Sequence, residues 1–383
     1  MPATPAPKRC LLVVSGLFNI SGGIAVVNRL CIHALAQQGW QVDVLALSET
    51  SARVDERYIP LQQVSYRAFQ GNKIAFTLTA WAALLRRGYD LVLVDHVNLA
   101  AMLAPLRYLF GMRYTVWLHG VEIFPPLPNT EGKLGLRAAQ RRLANSSYTR
   151  ASVSARFPQW QITACDLALD PVRFAVDEQA ANSLPLLLQA VDGEQRTLGN
   201  QVILHTARMN ALERYKGHDE LLQAFPLIQQ THPDAQLILA GTGNDWQRLY
   251  ELAQTLPAAV QAHIFMPGYV EQALLHRLYA ACYLFAMPSK GEGFGLVYLE
   301  AMSYAKPCVG GNTDATPCVV QDGVTGMLLN DPHDPAQLST AITALLADPA
   351  RAQTLGLAGY ARVQNHFTFP HFAQRFLAAI EGI

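Results

Sequence analysis

Short apolar runs alternate with amphipathic stretches along almost the whole chain, and the alternation weakens once before it restarts. Residues 10–15 (Cys-Leu-Leu-Val-Val-Ser) are apolar and end in a small residue, which predicts a buried strand. The loop Gly16–Gly23 follows, carrying Gly16, Gly22 and Gly23, and Ile24–Gln38 then has the spacing of an amphipathic helix that stops at Gly39. Gln41–Leu47 predicts the next strand, so the chain opens as strand, glycine loop, helix and strand, the start of a parallel α/β layer. The same rhythm predicts a helix over Ile74–Arg87, a strand at Leu91–Val94, a helix near Ala100–Phe110 and a strand at Tyr114–Leu118. Asn145-Ser146-Ser147 precedes a helix from Tyr148, with the serines as natural caps.

From Ala175 to Asn200 the rhythm fades, apart from a short helix predicted around Leu186–Ala190 after Pro185, and the domain boundary is set here, between residues 184 and 185. Beyond it the pattern predicts strands at Val202–Thr206, Gln236–Ala240, His263–Met266, Cys282–Ala286, Pro307–Val309 and Gly326–Leu329. Helices are predicted over His218–Gln230, Asn244–Leu256, Glu271–Ala280, Leu296–Tyr304, Pro335–Ala347, Ala350–Asn365 and Phe372–Ile380. The expected organisation is a first domain over 1–184, a second over 185–365, and a C-terminal helix, 366–383, returning to the first.

Composition agrees with two cores. A length of 383 residues is well above the ~150 of a common single domain, and 51% of the chain is hydrophobic against 15% charged. Lys plus Arg (29) balances Asp plus Glu (29), so nothing global invites nucleic acid. The low charge fits a leucine- and alanine-rich cytosolic protein, or an enzyme resting against something apolar. Six cysteines, at 10, 31, 165, 282, 308 and 318, form no CxxC pair, which suggests reduced cytoplasmic thiols rather than a zinc site or disulfide framework. The apolar run Cys10–Leu17 is too short for a membrane span. Leu99–Phe110 reads as a buried helix, with a surface helix touching a membrane as the alternative.

The candidate chemistry sits at predicted strand ends, where ligands of open parallel sheets bind. His119-Gly120 ends the strand Tyr114–Leu118. Arg208 ends the first strand of the second domain, and Lys216-Gly217 follow; two such cations can neutralise a diphosphate, Arg with a planar fork and Lys with a point charge. The strongest local feature is the run from Pro288 to Glu300, Pro-Ser-Lys-Gly-Glu-Gly-Phe-Gly-Leu-Val-Tyr-Leu-Glu. Its glycines let backbone approach a ligand, and the helix starting near Leu296 directs free amides at an anion above it. Glu292 in the loop and Glu300 about two turns into the helix can bind different hydroxyls of one extended ligand.

Taken in order, these features resemble the GT-B superfamily of retaining glycosyltransferases, specifically family 4 (glycosyl transferases group 1). Gly22-Gly23 matches the N-terminal glycine loop, His119-Gly120 the histidine near the donor sugar, and Arg208 with Lys216-Gly217 the diphosphate-binding pair. Glu292 through Glu300 matches the Glu-x7-Glu motif. Asn145-Ser146, Asp170-Pro171-Val172-Arg173-Phe174, Asp322-Gly323-Val324-Thr325-Gly326 and His366-Phe367-Thr368-Phe369 match structural marks. Two departures stand out. Leu167-Ala168-Leu169 replaces the usual Asn-Gly-Val before Asp170, and the usual Gly-Gly-x-Pro-Glu is lengthened over Gly310–Cys318, with Cys318 in the place of the glutamate.

The resemblance implies an α/β GT-B fold, two Rossmann-like domains facing across a cleft, and transfer of a hexosyl unit from a GDP- or UDP-linked sugar with retention of configuration. It implies that Glu300 holds ribose hydroxyls, that Arg208 and Lys216 hold the diphosphate, and that Glu292 and His119 contact the donor sugar. Gly22, Gly23, Gly293, Phe294, Gly295 and Leu296 would line the donor site. No metal and no cofactor is expected, the nucleotide sugar being a co-substrate, and the chain has no Asp-x-Asp motif. The acceptor is expected to be a glycan, a lipid-linked glycan or a small molecule, met near Tyr58–Lys73 or Phe124–Thr130. The expected location is cytoplasmic, with a peripheral contact at the inner face of the membrane. A nucleotide-sugar epimerase and a non-catalytic nucleotide-sugar-binding subunit are the competing readings.

Overall fold

A computed structural model describes residues 6–19, 22–51, 53–86, 88–120, 130–174 and 185–381. The chain divides into two compact units, Met1–Val172 with Thr368–Ile383, and Arg173–Phe367. The boundary expected at 184/185 borders residues 175–184, which lie outside the described residues.

Among the described residues, unit 1 is built on a seven-stranded sheet. Its elements are β1 (Arg9–Val14), α1 (Gly23–Gln37), β2 (Gln41–Ala46), β3 (Val64–Ala68), α2 (Lys73–Leu85), β4 (Leu91–Val94), α3 (Val97–Phe110), β5 (Thr115–Leu118), α4 (Thr130–Ala138), β6 (Arg141–Ala144), α5 (Ser147–Arg156) and β7 (Ile162–Ala164). The strand order is β3-β2-β1-β4-β5-β6-β7, and every pair is parallel. Strands covered by helices on both faces read as unbroken apolar runs, and Cys10–Val14 and Leu91–Val94 are buried throughout.

Three strands and a helix escape the sequence reading for the converse reason. β3 is an edge strand with no fully buried residue, β7 has three residues, and β6 begins with two arginines. Arg142 is tolerated inside because Nε and Nη2 donate to the carbonyl oxygens of Leu136 and Ala139 while the guanidinium lies 4.8 Å over the Trp160 ring. α4 combines low hydropathy with Gly132 and Gly135.

The last helix, α14 (Phe369–Ile380), belongs to unit 1 and packs on α1. Phe372 and Phe376 are fully buried, and the Phe376 ring stacks 6.3 Å from Trp117. Arg375 Nε donates to the Asp166 carbonyl at 3.1 Å, and Arg141 Nη1 donates to the Ala379 carbonyl at 2.8 Å.

Unit 2 opens with a hairpin, β8 (Leu187–Gln189) and β9 (Gln195–Thr197), and continues with β10 (Val202–Thr206), α6 (His218–Thr231), β11 (Gln236–Ala240), α7 (Trp246–Gln254), α8 (Ala258–Gln261) and β12 (Ile264–Gly268). Then come α9 (Gln272–Ala281), β13 (Leu284–Met287), α10 (Leu296–Ser303), β14 (Cys308–Gly311), α11 (Thr316–Val319), β15 (Gly326–Leu329), α12 (Pro335–Ala347) and α13 (Pro349–His366). The sheet order is β12-β11-β10-β13-β14-β15, again all parallel. The helix expected over Leu186–Ala190 is instead strand β8. Burial alternates along it, with Leu186 and Ala190 inside and Leu187 57% exposed, and Asp192-Gly193 (Gly193 φ +92°) supplies the tight turn that a hairpin needs. All six cysteines are free thiols, five of them buried.

Candidate active site

In an open parallel sheet the ligand crevice lies where the strand order reverses, beyond the carboxyl ends. In unit 2 that point falls between β10 and β13. β10 runs out into Ala207-Arg208, and β13 into the loop Pro288–Gly295, so the two strongest sequence signals leave the sheet at the same place. A third loop braces them. A Cβ on Gly241 would stand 1.9 Å from the Ala207 carbonyl, so only glycine lets the Gly241-Thr242-Gly243 turn close on the Arg208 segment. The Met209 N–H donates to the Thr242 carbonyl at 3.0 Å.

The cations and carboxylates form one chain of contacts. Arg208, 61% exposed, reaches Glu213 (Nη2 to Oε1 2.7 Å). Lys216 lies 3.7 Å from the other oxygen of Glu213 and 3.1 Å from Glu292 Oε1. Burial pulls the Lys216 ammonium down, but Glu292, Tyr215 and Glu213 outweigh it and hold it above its ordinary value, so it stays charged. Arg208, Lys216 and Glu292 are thus brought together, although 84 sequence positions separate the first from the last.

The loop is anchored at each residue around Glu292. The Lys290 N–H donates to the Tyr215 carbonyl at 3.0 Å, and Gly291 packs against the Tyr215 ring. Gly293 and Phe294 are buried, the Phe294 ring meeting Phe367 edge to face at 5.9 Å. Gly295 takes φ +93° as the N-cap residue of α10, beside the Tyr298 ring, and no side chain caps the helix. Glu300, on the same helix, accepts from the Tyr279 hydroxyl at 2.8 Å, and that hydroxyl also meets Thr206 Oγ1, at the end of β10, at 2.8 Å. Lys290 pairs with Asp331 at 3.0 Å, a surface ion pair.

In unit 1 the order reverses between β1 and β4. The Glu49 carboxylate, fully buried, accepts the N–H groups of Leu17, Phe18 and Asn19 at 2.6 to 3.0 Å and so shapes the glycine loop. Asp95, at the end of β4, accepts from Ser15 N–H (2.7 Å), Ser15 Oγ (2.6 Å) and Asn28 Nδ2 (2.9 Å). Gly22 (φ +131°) is the N-cap residue of α1, and Gly23 is its first helical residue. His119, after β5, is 7% exposed; Nε2 donates to the Asp95 carbonyl at 2.6 Å, and Asn145 Nδ2 donates to the His119 carbonyl. Burial lowers the His119 imidazole, which is neutral near pH 7 and protonated at Nε2.

Several residues of this kind were not legible in the sequence. Glu213, three positions before Lys216, belongs to none of the motifs read from the sequence, and its partners appear only in the fold. Tyr279 and Thr206 become partners of Glu300 only through the fold. In the lengthened loop Cys318 drew attention, yet Asp314 is the residue that touches Glu292, through the backbone (Glu292 N–H to Oδ2, 2.7 Å). Two further residues are structural. Asp170 binds Arg29 (2.9 Å) and the Tyr58 hydroxyl (2.6 Å) inside unit 1, and Tyr58 is therefore buried rather than open to an acceptor. His96 caps α3 by accepting from the Asn98 N–H. Phe124, at the other suggested acceptor segment, lies outside the described residues.

The family model Glycosyl transferases group 1 matches residues 199–362, and that of Glycosyltransferase Family 4 matches residues 21–165. A GDP-mannose-dependent alpha-(1-6)-phosphatidylinositol monomannoside mannosyltransferase of Mycolicibacterium smegmatis is 31% identical over 277 residues, 68% of either chain. The alpha-maltose-1-phosphate synthase of the same organism is 28% identical, covering 74% of this chain and 76% of its own. Among solved structures, sucrose-phosphate synthase from Thermosynechococcus elongatus superposes with a TM-score of 0.77 at 21% identity, over 97% of this chain and 98% of that one. Anabaena HepE in complex with UDP-glucose gives 0.76 at 19%, over 98% and 100%. With both family models matched, one in each unit, and two parallel sheets of Rossmann order, the chain belongs to the GT-B glycosyltransferases of group 1, family 4.

Proposed function

We propose that this glycosyltransferase moves a hexosyl unit from a GDP- or UDP-linked sugar to an acceptor hydroxyl with retention of configuration and without a metal ion. The observation that carries the reading is the 3.1 Å contact between Lys216 and Glu292, which joins the cation segment to the glycine loop at the reversal point of one sheet. Relatives named for GDP-mannose and a neighbour of the same fold bound to UDP-glucose support a nucleotide-hexose donor.

On this reading Glu300, steadied by Tyr279, takes the ribose hydroxyls. Arg208 and Lys216 exchange Glu213 for the diphosphate, joined by the α10 amides that follow Gly295. Glu292 holds hydroxyls of the donor sugar. The bond from the anomeric carbon to the diphosphate oxygen breaks and charge grows on that oxygen. Fixed cations and amides stabilise it there, each such donor contributing roughly 3 kcal/mol, about a hundredfold in rate. The acceptor oxygen joins the anomeric carbon on the face the diphosphate leaves, and the acceptor proton passes to the departing phosphate oxygen.

The acceptor reading is a lipid-linked or growing glycan, with an edge of unit 1 resting on an anionic membrane surface. It is favoured by Tyr108, Leu109 and Phe110 (63%, 74% and 50% exposed) at the end of α3, by exposed Ile74 and Leu78 on α2, and by the exposed cations Lys73 and Arg86 at the ends of α2 and Arg113 after α3.

The experiment is to incubate the protein with UDP-glucose and GDP-mannose, with and without a panel of glycan and glycolipid acceptors, and to follow the anomeric proton by NMR. The expected result is an α-linked product from an α-linked donor, formed only with acceptor. A β-linked product contradicts retention; sugar interconversion without acceptor indicates an epimerase; binding without turnover indicates a non-catalytic subunit.

A further inference from the structure

The lengthened segment after β14 is also where Glu292 is tied down. Asp314 is 3% exposed, and its carboxylate accepts two backbone N–H groups, Glu292 at Oδ2 (2.7 Å) and Thr316 at Oδ1 (2.9 Å). The neighbouring Ala315 N–H donates to the Glu292 carbonyl at 3.0 Å. Both backbone polar groups of Glu292 are therefore held by consecutive residues of one loop, while its side chain meets Lys216. The floor beneath is close-packed: a Cβ on Gly310 would lie 2.8 Å from both Thr316 Cγ2 and the Tyr298 hydroxyl, and that hydroxyl donates to the Met287 carbonyl at 2.6 Å.

We infer that Asp314 is a positioning residue for Glu292, its carboxylate fixing the backbone from which Glu292 reaches the donor sugar. The inference rests on the reading of Glu292 given above, and it assigns a task to the segment that departs from the family pattern.

A pH dependence follows. Burial raises the Asp314 carboxyl to about 6, helped by the Glu292 charge and opposed by the Glu292 and Thr316 hydrogen bonds. Glu292 and Tyr298 are the titratable groups that face it; Tyr298 is kept protonated by burial, and Lys216 balances Glu292. Below that pH the carboxyl is neutral and accepts the two N–H groups more weakly, so its hold on the loop loosens. A carboxyl whose folded value is raised gains stability on protonation, so activity falls on the acid side without unfolding.

The test compares wild type, Asp314→Asn and Glu292→Gln. It uses turnover of whichever of UDP-glucose or GDP-mannose is accepted, from about pH 5 to about pH 8, alongside UDP and GDP binding and thermal melting. We expect wild-type kcat/KM to fall ~10-fold per pH unit below about 6. Asp314→Asn should lose ~10- to 100-fold at about pH 8 and show no acid limb, with nucleoside diphosphate affinity within about twofold of wild type. Wild-type turnover with an unchanged acid limb in Asp314→Asn overturns the inference, as does a parallel loss of nucleoside diphosphate binding. If melting shows that Asp314→Asn does not fold, wild type decides: an acid limb in turnover but not in UDP or GDP binding supports the inference, and a limb in both or in neither overturns it. An active Glu292→Gln removes the underlying reading and the inference with it. An inactive Glu292→Gln beside an unaffected Asp314→Asn removes the inference alone.

Discussion

Single side chains in unit 2 divide the work by charge and by the partner that orients them. Glu300 has a hydroxyl to steady it, since Tyr279, held protonated by burial, donates at 2.8 Å and links it to Thr206. A hydrogen bond to a charged group contributes about 1.5–3 kcal/mol. Tyr279→Phe should therefore weaken UDP or GDP binding by roughly tenfold while leaving inorganic pyrophosphate, which meets Arg208, Lys216 and the α10 amides but not Glu300, unchanged. Calorimetric titration checks this, and an equal loss for both ligands would mean that the tyrosine supports the packing rather than Glu300. Glu213 has the opposite character: it pairs with both cations, and its position three residues before Lys216 becomes meaningful only once the turn between them is folded.

At the scale of elements, legibility followed burial. Strands buried on both faces, such as β1, β4 and β10, announce themselves as apolar runs, and the helices between them as amphipathic stretches ended by glycine or proline. β3 and β6 do not, one lying half-buried at the edge and the other hiding a hydrogen-bonded arginine. The β8–β9 hairpin does not announce itself because the leucines after Pro185 suggest a helix start, whereas Asp192-Gly193 is the better signal. Helices α2 and α3 carry the membrane reading. Flotation should bring the protein up with phosphatidylglycerol vesicles and not with phosphatidylcholine vesicles, less so as salt rises. Leu109→Ser with Phe110→Ser should cut that binding several-fold and spare UDP and GDP binding. Failure to float with anionic vesicles would contradict a membrane-facing edge.

Across the whole molecule, two sheets of the same winding each offer a reversal point, and candidate residues read from the sequence lie beyond both sheets' strand ends. Arg208, Lys216, Glu292, Gly295 and Glu300 were legible because motif residues at strand ends keep their order in the chain. What stayed hidden were the second partners, Glu213, Tyr279 and Asp314, since tertiary packing alone decides which loop a carboxylate or hydroxyl will brace. The central claim is that unit 2 binds a nucleotide sugar through Glu300 and the two cations. The most direct measurement is binding of UDP, GDP, UDP-glucose and GDP-mannose to wild type, Glu300→Ala and Lys216→Ala. The account predicts that wild type selects one base and that each variant loses at least ~10-fold in affinity for that base's diphosphate. Wild-type affinity retained in both variants, or no binding to wild type at all, would contradict it.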